Sequence, residues 1–376
     1  MRSILGQLPE WDVTTIIIYC ASIFFAYFFA TLYNKVKSSD GHSKVVFLAL
    51  SFLSVWFVLA FSTCGADYET YKIIYDGSPD PSTWEAARIE KGYIILNLVF
   101  KAIGLSFESF HVIWASALLI MVYAAILHYK DEIDVGIAVL AFAGMYCFQS
   151  MNLMRIYFAM AFTLLCFKNY LNGKRLRYFF DLIIAFLIHR SVVCLAVPFI
   201  FYELFSSEIT VWVKALVSVV IVVALYVFRG LLFSIAFFNN MYGLTESAGF
   251  GFGVIIYHIP IAILLIFTYR TQLLDTSLFQ KYLVMFLSSF VFGTLSYYVS
   301  IVGRVFVFFA PVYILFPAFV LNRKEEVNPG SIVIRTGVDP LFVLRLMYIL
   351  FILFKTFMMT EYFYTDMIMP YTGIFM

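Results

Sequence analysis

Met151–Ser191 reads MNLMRIYFAMAFTLLCFKNYLNGKRLRYFFDLIIAFLIHRS. Asn152 and Arg155 open an otherwise apolar helix, a basic turn runs from Asn172 to Arg177, and a second apolar run ends in His189 and Arg190. An ionised Arg at the centre of a bilayer helix costs roughly 2.5–3.5 kcal/mol even on lenient insertion scales. Cations placed this way point to a wet, functional cavity inside a helix bundle.

The rest of the chain has the composition such a bundle needs. Of 376 residues, 63% are hydrophobic, 20% aromatic and only 13% charged, and the mean hydropathy is +0.93. A soluble chain carries about 25% charged residues, so the sequence reads as an all-α, polytopic integral membrane protein. A transmembrane β-barrel is excluded, because its strands alternate apolar and polar residues whereas this chain has long apolar runs such as Ile16–Leu32. The net charge of +2 gives no footing for nucleic acid. The five cysteines form no CxxC pairing, so neither a disulfide framework nor a zinc site is indicated, and no cofactor motif occurs. The start of the chain lacks the basic region and cleavage site of a secretory signal and reads as an uncleaved first helix.

At roughly 20 residues per crossing, about 12 transmembrane helices are expected. Short loops rich in Lys and Arg stay in the cytoplasm. Lys35, Lys37 and Lys44 therefore place the first loop inside, and Lys174, Arg175 and Arg177 do the same for residues 172–177. Those anchors agree only if residues 92–105 do not cross. That run is about 21 Å long as a helix and carries Asn97 and Lys101, so it is assigned as a re-entrant or interfacial helix on the outer side. Likewise Tyr178–Phe205 must break at His189 and Arg190 into a helical hairpin, which keeps Arg270, Lys281, Arg323, Lys324 and Arg335 inside. Both termini then lie outside. The whole chain, 1–376, reads as a single membrane domain with two long outer-face loops, 62–91 and 230–253.

On that topology Asp67, Glu90, Arg155, His189, Arg190 and Arg304 fall at or near the outer face. Arg155, three residues after Asn152, is either a bidentate anchor for diphosphate or a snorkelling interfacial side chain. His189 is either a general base beside the cationic Arg190 or a helix-end histidine bonded to freed carbonyls. Asp67 and Glu90 are either bases and sugar ligands or solvated loop charges, and Arg304 is either part of a cationic pocket or snorkelling. Asp131, Glu132 and Asp134 form an acidic cluster on the inner side and read as a solvated turn. Tyr68, Tyr71, Tyr75 and Trp84 are candidates for stacking on sugar rings.

Taken in order, these pieces resemble the EpsG/Wzy-like family of bacterial polysaccharide repeat-unit polymerases. The matching residues are Gly65-Ala66-Asp67-Tyr68 with Tyr71 and Tyr75, then Glu90-Lys91-Gly92-Tyr93 with Leu96. Asn152, Arg155 and Ala159 with the basic turn follow, then Ala185, His189 and Ser191, Arg304, and Pro370-Tyr371. Where the family often has Arg before the first motif and Gln after the helix Arg, this chain has Phe61-Ser62-Thr63-Cys64 and Ile156; Arg190 is the expected substitute cation.

The resemblance implies a GT-C-like, metal-independent glycosyltransferase of the bacterial inner membrane with its active site facing the periplasm. Its donor and acceptor would be undecaprenyl-diphosphate-linked oligosaccharides destined for O-antigen, capsule or exopolysaccharide, and a chain-length regulator is admitted as a partner. His189, Asp67 or Glu90 would take the acceptor proton, and Arg155, Arg190, Arg304, Asn152 and Tyr68 would bind substrate and diphosphate. The main rival is a lipid-linked oligosaccharide flippase, but such carriers need paired, related halves, which this chain lacks. A multispanning acyltransferase is disfavoured by the outward placement of His189.

Overall fold

The computed structural model describes residues 12–36, 40–78, 89–204, 210–227, 252–296, 303–322, 339–365 and 368–374. Among these residues the chain is helical, apart from turns and an isolated antiparallel bridge between Ser62 and Gly373. Seven helices among the described residues are long and apolar enough to cross a membrane, and two shorter apolar ones accompany them, so the protein is a multi-pass membrane protein. The chain gathers into two compact units. The first comprises residues 1–165, 187–189 and 349–376, and the second 166–186 and 190–348.

The first unit contains α1 (Val13–Lys35), α2 (Gly41–Ala60), α3 (Tyr68–Gly77), α4 (Lys91–Ala102), α5 (Phe107–Leu127) and α6 (Val135–Phe142). It also holds the start of α7 (Met154–Leu171). α1 packs on α2 and α6, and α2 on α5. Side chains at the helix starts accept the orphan amides: Asp12 from Thr15, Asp40 from Ser43, Ser106 from Ser109 and Asp134 from Ile137. Asp134 is thus buried, and it also accepts from Asn34 Nδ2 at 2.8 Å. Only Asp131 and Glu132 of the expected solvated acidic turn are exposed.

α6 continues as a π-helical turn, Ala143–Cys147, and a 3-10 turn, Phe148–Met151, before the chain breaks at Asn152 and Leu153. α4 spans 12 residues, about 18 Å, too short to cross a bilayer. It lies instead against α3 and α5, and Lys101 Nζ donates to the carbonyls of Tyr75, Asp76 and Ser78 at the C-terminus of α3.

The second unit includes α8 (Arg175–Ile188) as far as residue 186, a 3-10 segment (Arg190–Leu195), α9 (Ala196–Leu204), α10 (Val211–Val227) and α11 (Phe252–Thr271). α12 (Thr276–Leu295), a 3-10 segment (Arg304–Phe309) and α13 (Ala310–Asn322) follow, and α14 (Pro340–Thr365) contributes residues 340–348. Helix α8 stops at Ile188, and His189 is outside any helix. The rings of Tyr178 and Phe199 sit 5.7 Å apart, whereas 21 residues of continuous helix would hold them roughly 30 Å apart. The expected hairpin about His189 is therefore present.

Lys281, expected in a loop, lies within α12. It is buried, donates to the Leu171 carbonyl at 2.5 Å, and stands over the Tyr202 ring. The loop ends earlier because Asp275 caps α12 through the Leu278 amide. Of the outer-face loops expected to carry binding chemistry, 79–88 with Trp84, and 230–251, lie outside the described residues.

Gly92 matters because a Cβ there would collide with the Leu187 carbonyl, a backbone group that cannot swing away. Gly92→Ala should lower stability by about 1–3 kcal/mol, read as a lowered melting temperature of the purified protein. Gly41→Ala, where a Cβ meets nothing within 4 Å, should not. Equal melting of the two variants would contradict the close approach.

Candidate functional site

Two interruptions in the helices receive two motifs of the 62–93 stretch. Gly65 adopts φ +119°, and a Cβ there would lie 2.9 Å from the Met151 carbonyl oxygen and 3.2 Å from Asn152 Cα. Glycine alone fits this turn and this approach. The first motif thereby sits on the break before α7, where buried Asn152 accepts from the Asp67 amide at 2.9 Å. Gly92 brings the second motif against Leu187, so residues 187–189 at the end of α8 lie beside the start of α4. The segment that carries the first motif is pinned from the other side by the C-terminal residues. The Thr63 amide donates to Thr372 O at 2.8 Å, the Ile374 amide to Phe61 O at 2.9 Å, and the Tyr371 amide to Thr15 Oγ1 at 2.7 Å.

Seated in this way, the motifs surround Arg155. Its Nη1 forms an ion pair with Glu90, and the two side chains are only 19% and 9% exposed. The guanidinium also lies 5.7 Å from the Tyr71 ring centroid and 5.6 Å from that of Tyr93, within cation–π range. Arg155 Nε is buried with no hydrogen-bond partner. Snorkelling, the alternative open for Arg155 from sequence, does not describe this side chain. Glu90 is likewise a buried partner and not a solvated loop charge.

The tyrosines belong to an aromatic core with Tyr68, Tyr75, Phe107, Phe110, Trp114 and Met154. Tyr68 meets Phe107 and His111 edge-on, and Tyr71 meets Tyr93 the same way. Tyr68, Tyr71 and Tyr75 are 4%, 5% and 1% exposed, so their rings form the floor of the site and are not open platforms for sugars. Burial pushes the Tyr68 phenol up to about 12. It also raises Tyr71, against the opposing pull of the Arg155 charge. These phenols stay neutral and serve as hydrogen-bonding and π surfaces.

The first unit thus brings together Asp67, Tyr68, Glu90, Asn152 and Arg155, with His189, half-buried, ending the stretch that Gly92 contacts. Asp67 holds Asn152 through its backbone, and its carboxylate makes no hydrogen bond or ion pair among the described residues. Arg190 and Arg304 are exposed and belong to the second unit, where the two 3-10 segments they open pack on each other, Cys194 Sγ approaching Val305 O at 4.0 Å.

Sequence reasoning missed three features. Tyr71 and Tyr93 cage the guanidinium, a role signalled only by their spacing from Asp67 and Glu90. Asn97, one turn after Tyr93, is fully buried with neither amide atom partnered. In the second unit, buried His258 bonds to the Val254 carbonyl through Nδ1 at 2.7 Å, so Nε2 accepts from Ser289 Oγ at 3.2 Å, and Ser289 meets Tyr313 Oη at 3.0 Å.

Removing one partner of a buried ion pair leaves the other charge uncompensated, at a cost of about 3 kcal/mol or more. Glu90→Ala should therefore lower the melting temperature more than Asn152→Ala, which removes the neutral hydrogen bond to the Asp67 amide, worth about 1 kcal/mol. A Glu90→Ala protein as stable as wild type would contradict the buried pair.

The chain matches the sequence model of the EpsG family over residues 45–372, nearly its whole length. No similar curated protein and no similar solved structure was found. The match includes every residue of the Arg155 cluster, together with His189, Arg190 and Arg304. The chain belongs to the EpsG family.

Proposed function

We propose that this protein is a polysaccharide repeat-unit polymerase. It joins oligosaccharide units carried on undecaprenyl diphosphate by metal-independent, GT-C-like glycosyl transfer at the outer face of the bacterial inner membrane. On this reading the chain is one membrane domain with about twelve crossings, and the Arg155 cluster opens outward. The observation that carries the proposal is the pairing of a caged, nearly buried guanidinium with the Glu90 carboxylate, two residues before the glycine that packs on Leu187 at the end of the helix preceding His189.

The chemistry asked of such a site is specific. The growing chain leaves its lipid diphosphate and is transferred to a hydroxyl of the incoming unit. Negative charge builds on the departing diphosphate, and Arg155 is set to stabilise it where neighbouring rings exclude water. Asn152 positions Asp67, and His189, Asp67 and Glu90 are the groups able to take the acceptor proton. Tyr68 shapes the floor, while Arg190 and Arg304 offer guanidiniums to anionic parts of the substrate. A chain-length regulator is an expected partner.

The test is the length distribution of surface polysaccharide in a strain lacking the gene and complemented with wild type, Arg155→Ala or His189→Ala at matched membrane levels. Wild type should give long chains. Arg155→Ala should lose about 100-fold or more of the activity, the scale for removing a donor to a developing anion, and His189→Ala should also leave short products. If the deletion instead traps lipid-linked units on the cytoplasmic side, the protein is a flippase and the polymerase reading falls.

A further inference from the structure

As the structure stands, the guanidinium best placed to hold a diphosphate is already occupied. Arg155 gives Nη1 to Glu90, and both side chains are nearly buried. With Glu90 bonded to it, the Arg155 charge is compensated, so an arriving diphosphate meets a guanidinium that already has a counter-ion. Arg155 Nε, by contrast, is buried without a partner. Nε and the neighbouring amino group form the edge on which a guanidinium binds phosphate through two parallel hydrogen bonds. The Tyr71 and Tyr93 rings, at 5.7 and 5.6 Å, hold the guanidinium in place whether or not Glu90 stays bonded to it.

We propose that the Arg155–Glu90 pair is a substrate-released latch, in which the carrier diphosphate takes over Arg155 and displaces Glu90, freeing its carboxylate to act as the base. This rests on the polymerase reading above. In the step that follows, the acceptor hydroxyl oxygen forms a bond to the anomeric carbon of the donor chain. The bond from that carbon to the diphosphate oxygen breaks, and its electron pair leaves with the diphosphate on Arg155. The hydroxyl proton passes to Glu90. Before the diphosphate arrives the base is tied up, so the site does not activate water or an acceptor without a donor in place. Glu90 begins the second motif, immediately before the Gly92 approach, so its backbone is anchored while its side chain exchanges partners.

The latch makes opposite demands on binding and turnover. Glu90→Gln keeps the shape but removes the competing charge. Inorganic pyrophosphate, titrated by calorimetry into the purified full-length protein, should bind this variant about five- to tenfold more tightly than wild type, in keeping with the loss of a close charge pair. The same variant should make little or no polymer in cells. Glu90→Asp, which retains the charge on a shorter arm, should also bind pyrophosphate more tightly than wild type while keeping part of the activity, and it carries the test if Glu90→Gln does not fold. If wild type binds pyrophosphate and the variants bind it equally or less well, the latch is overturned and the diphosphate site stands. If neither wild type nor the variants bind it, the latch falls together with the reading it rests on.

Discussion

A guanidinium cannot shed its charge, so once Arg155 is nearly buried the protein around it has to supply compensation. Glu90 provides the counter-ion and Tyr71 and Tyr93 provide ring faces, all from residues far away in sequence. That requirement explains why the stretch between α2 and α5 is folded into α3 and α4 and packed through an aromatic core. A looser loop would leave the charge partly compensated, and an uncompensated buried charge costs several kcal/mol.

The two glycines make the arrangement feasible. Gly65 and Gly92 let backbone touch backbone at Met151–Asn152 and at Leu187, and both contacts fall where a helix is interrupted. Interrupted helices expose carbonyl and amide groups that a bilayer cannot satisfy, so such breaks persist only where protein or a wet cavity covers them. Here the motifs do part of that covering. The C-terminal residues 368–374 complete it by pairing with residues 61–63, so the first motif is gripped from two directions. Site and fold are in this sense one structure: the contacts that make the helix breaks tolerable also deliver Asp67 and Glu90 to Asn152 and Arg155.

Much of this was legible in the sequence, for reasons of cost. Expensive residues announce themselves, and Arg155, His189 and Arg190 in apolar runs led directly to the helix break at 189. Features set by tertiary contact were not legible. The tyrosines after Asp67 read equally well as sugar platforms or as core, and only their packing against Phe107, Phe110 and Trp114 distinguishes the two. Whether Glu90 was solvated or paired depended on a partner 65 residues away. Lys281 looked like a loop cation because nothing local reveals that it caps the Leu171 carbonyl. The chain His258–Ser289–Tyr313 escaped notice because each residue is unremarked alone.

The central claim is that Arg155 is where it is for chemistry, with Glu90 as its resting partner. A purely structural ion pair should tolerate exchange of its two charges, whereas a diphosphate anchor should not. The direct measurement is the doubly substituted protein, Glu90→Arg with Arg155→Glu, assayed for melting temperature and for polysaccharide chain length beside each single reversal. The account predicts that the exchange recovers most of the stability lost by either reversal and restores no polymer. Long chains from the exchanged protein would contradict it and reduce the pair to a fastening of the fold.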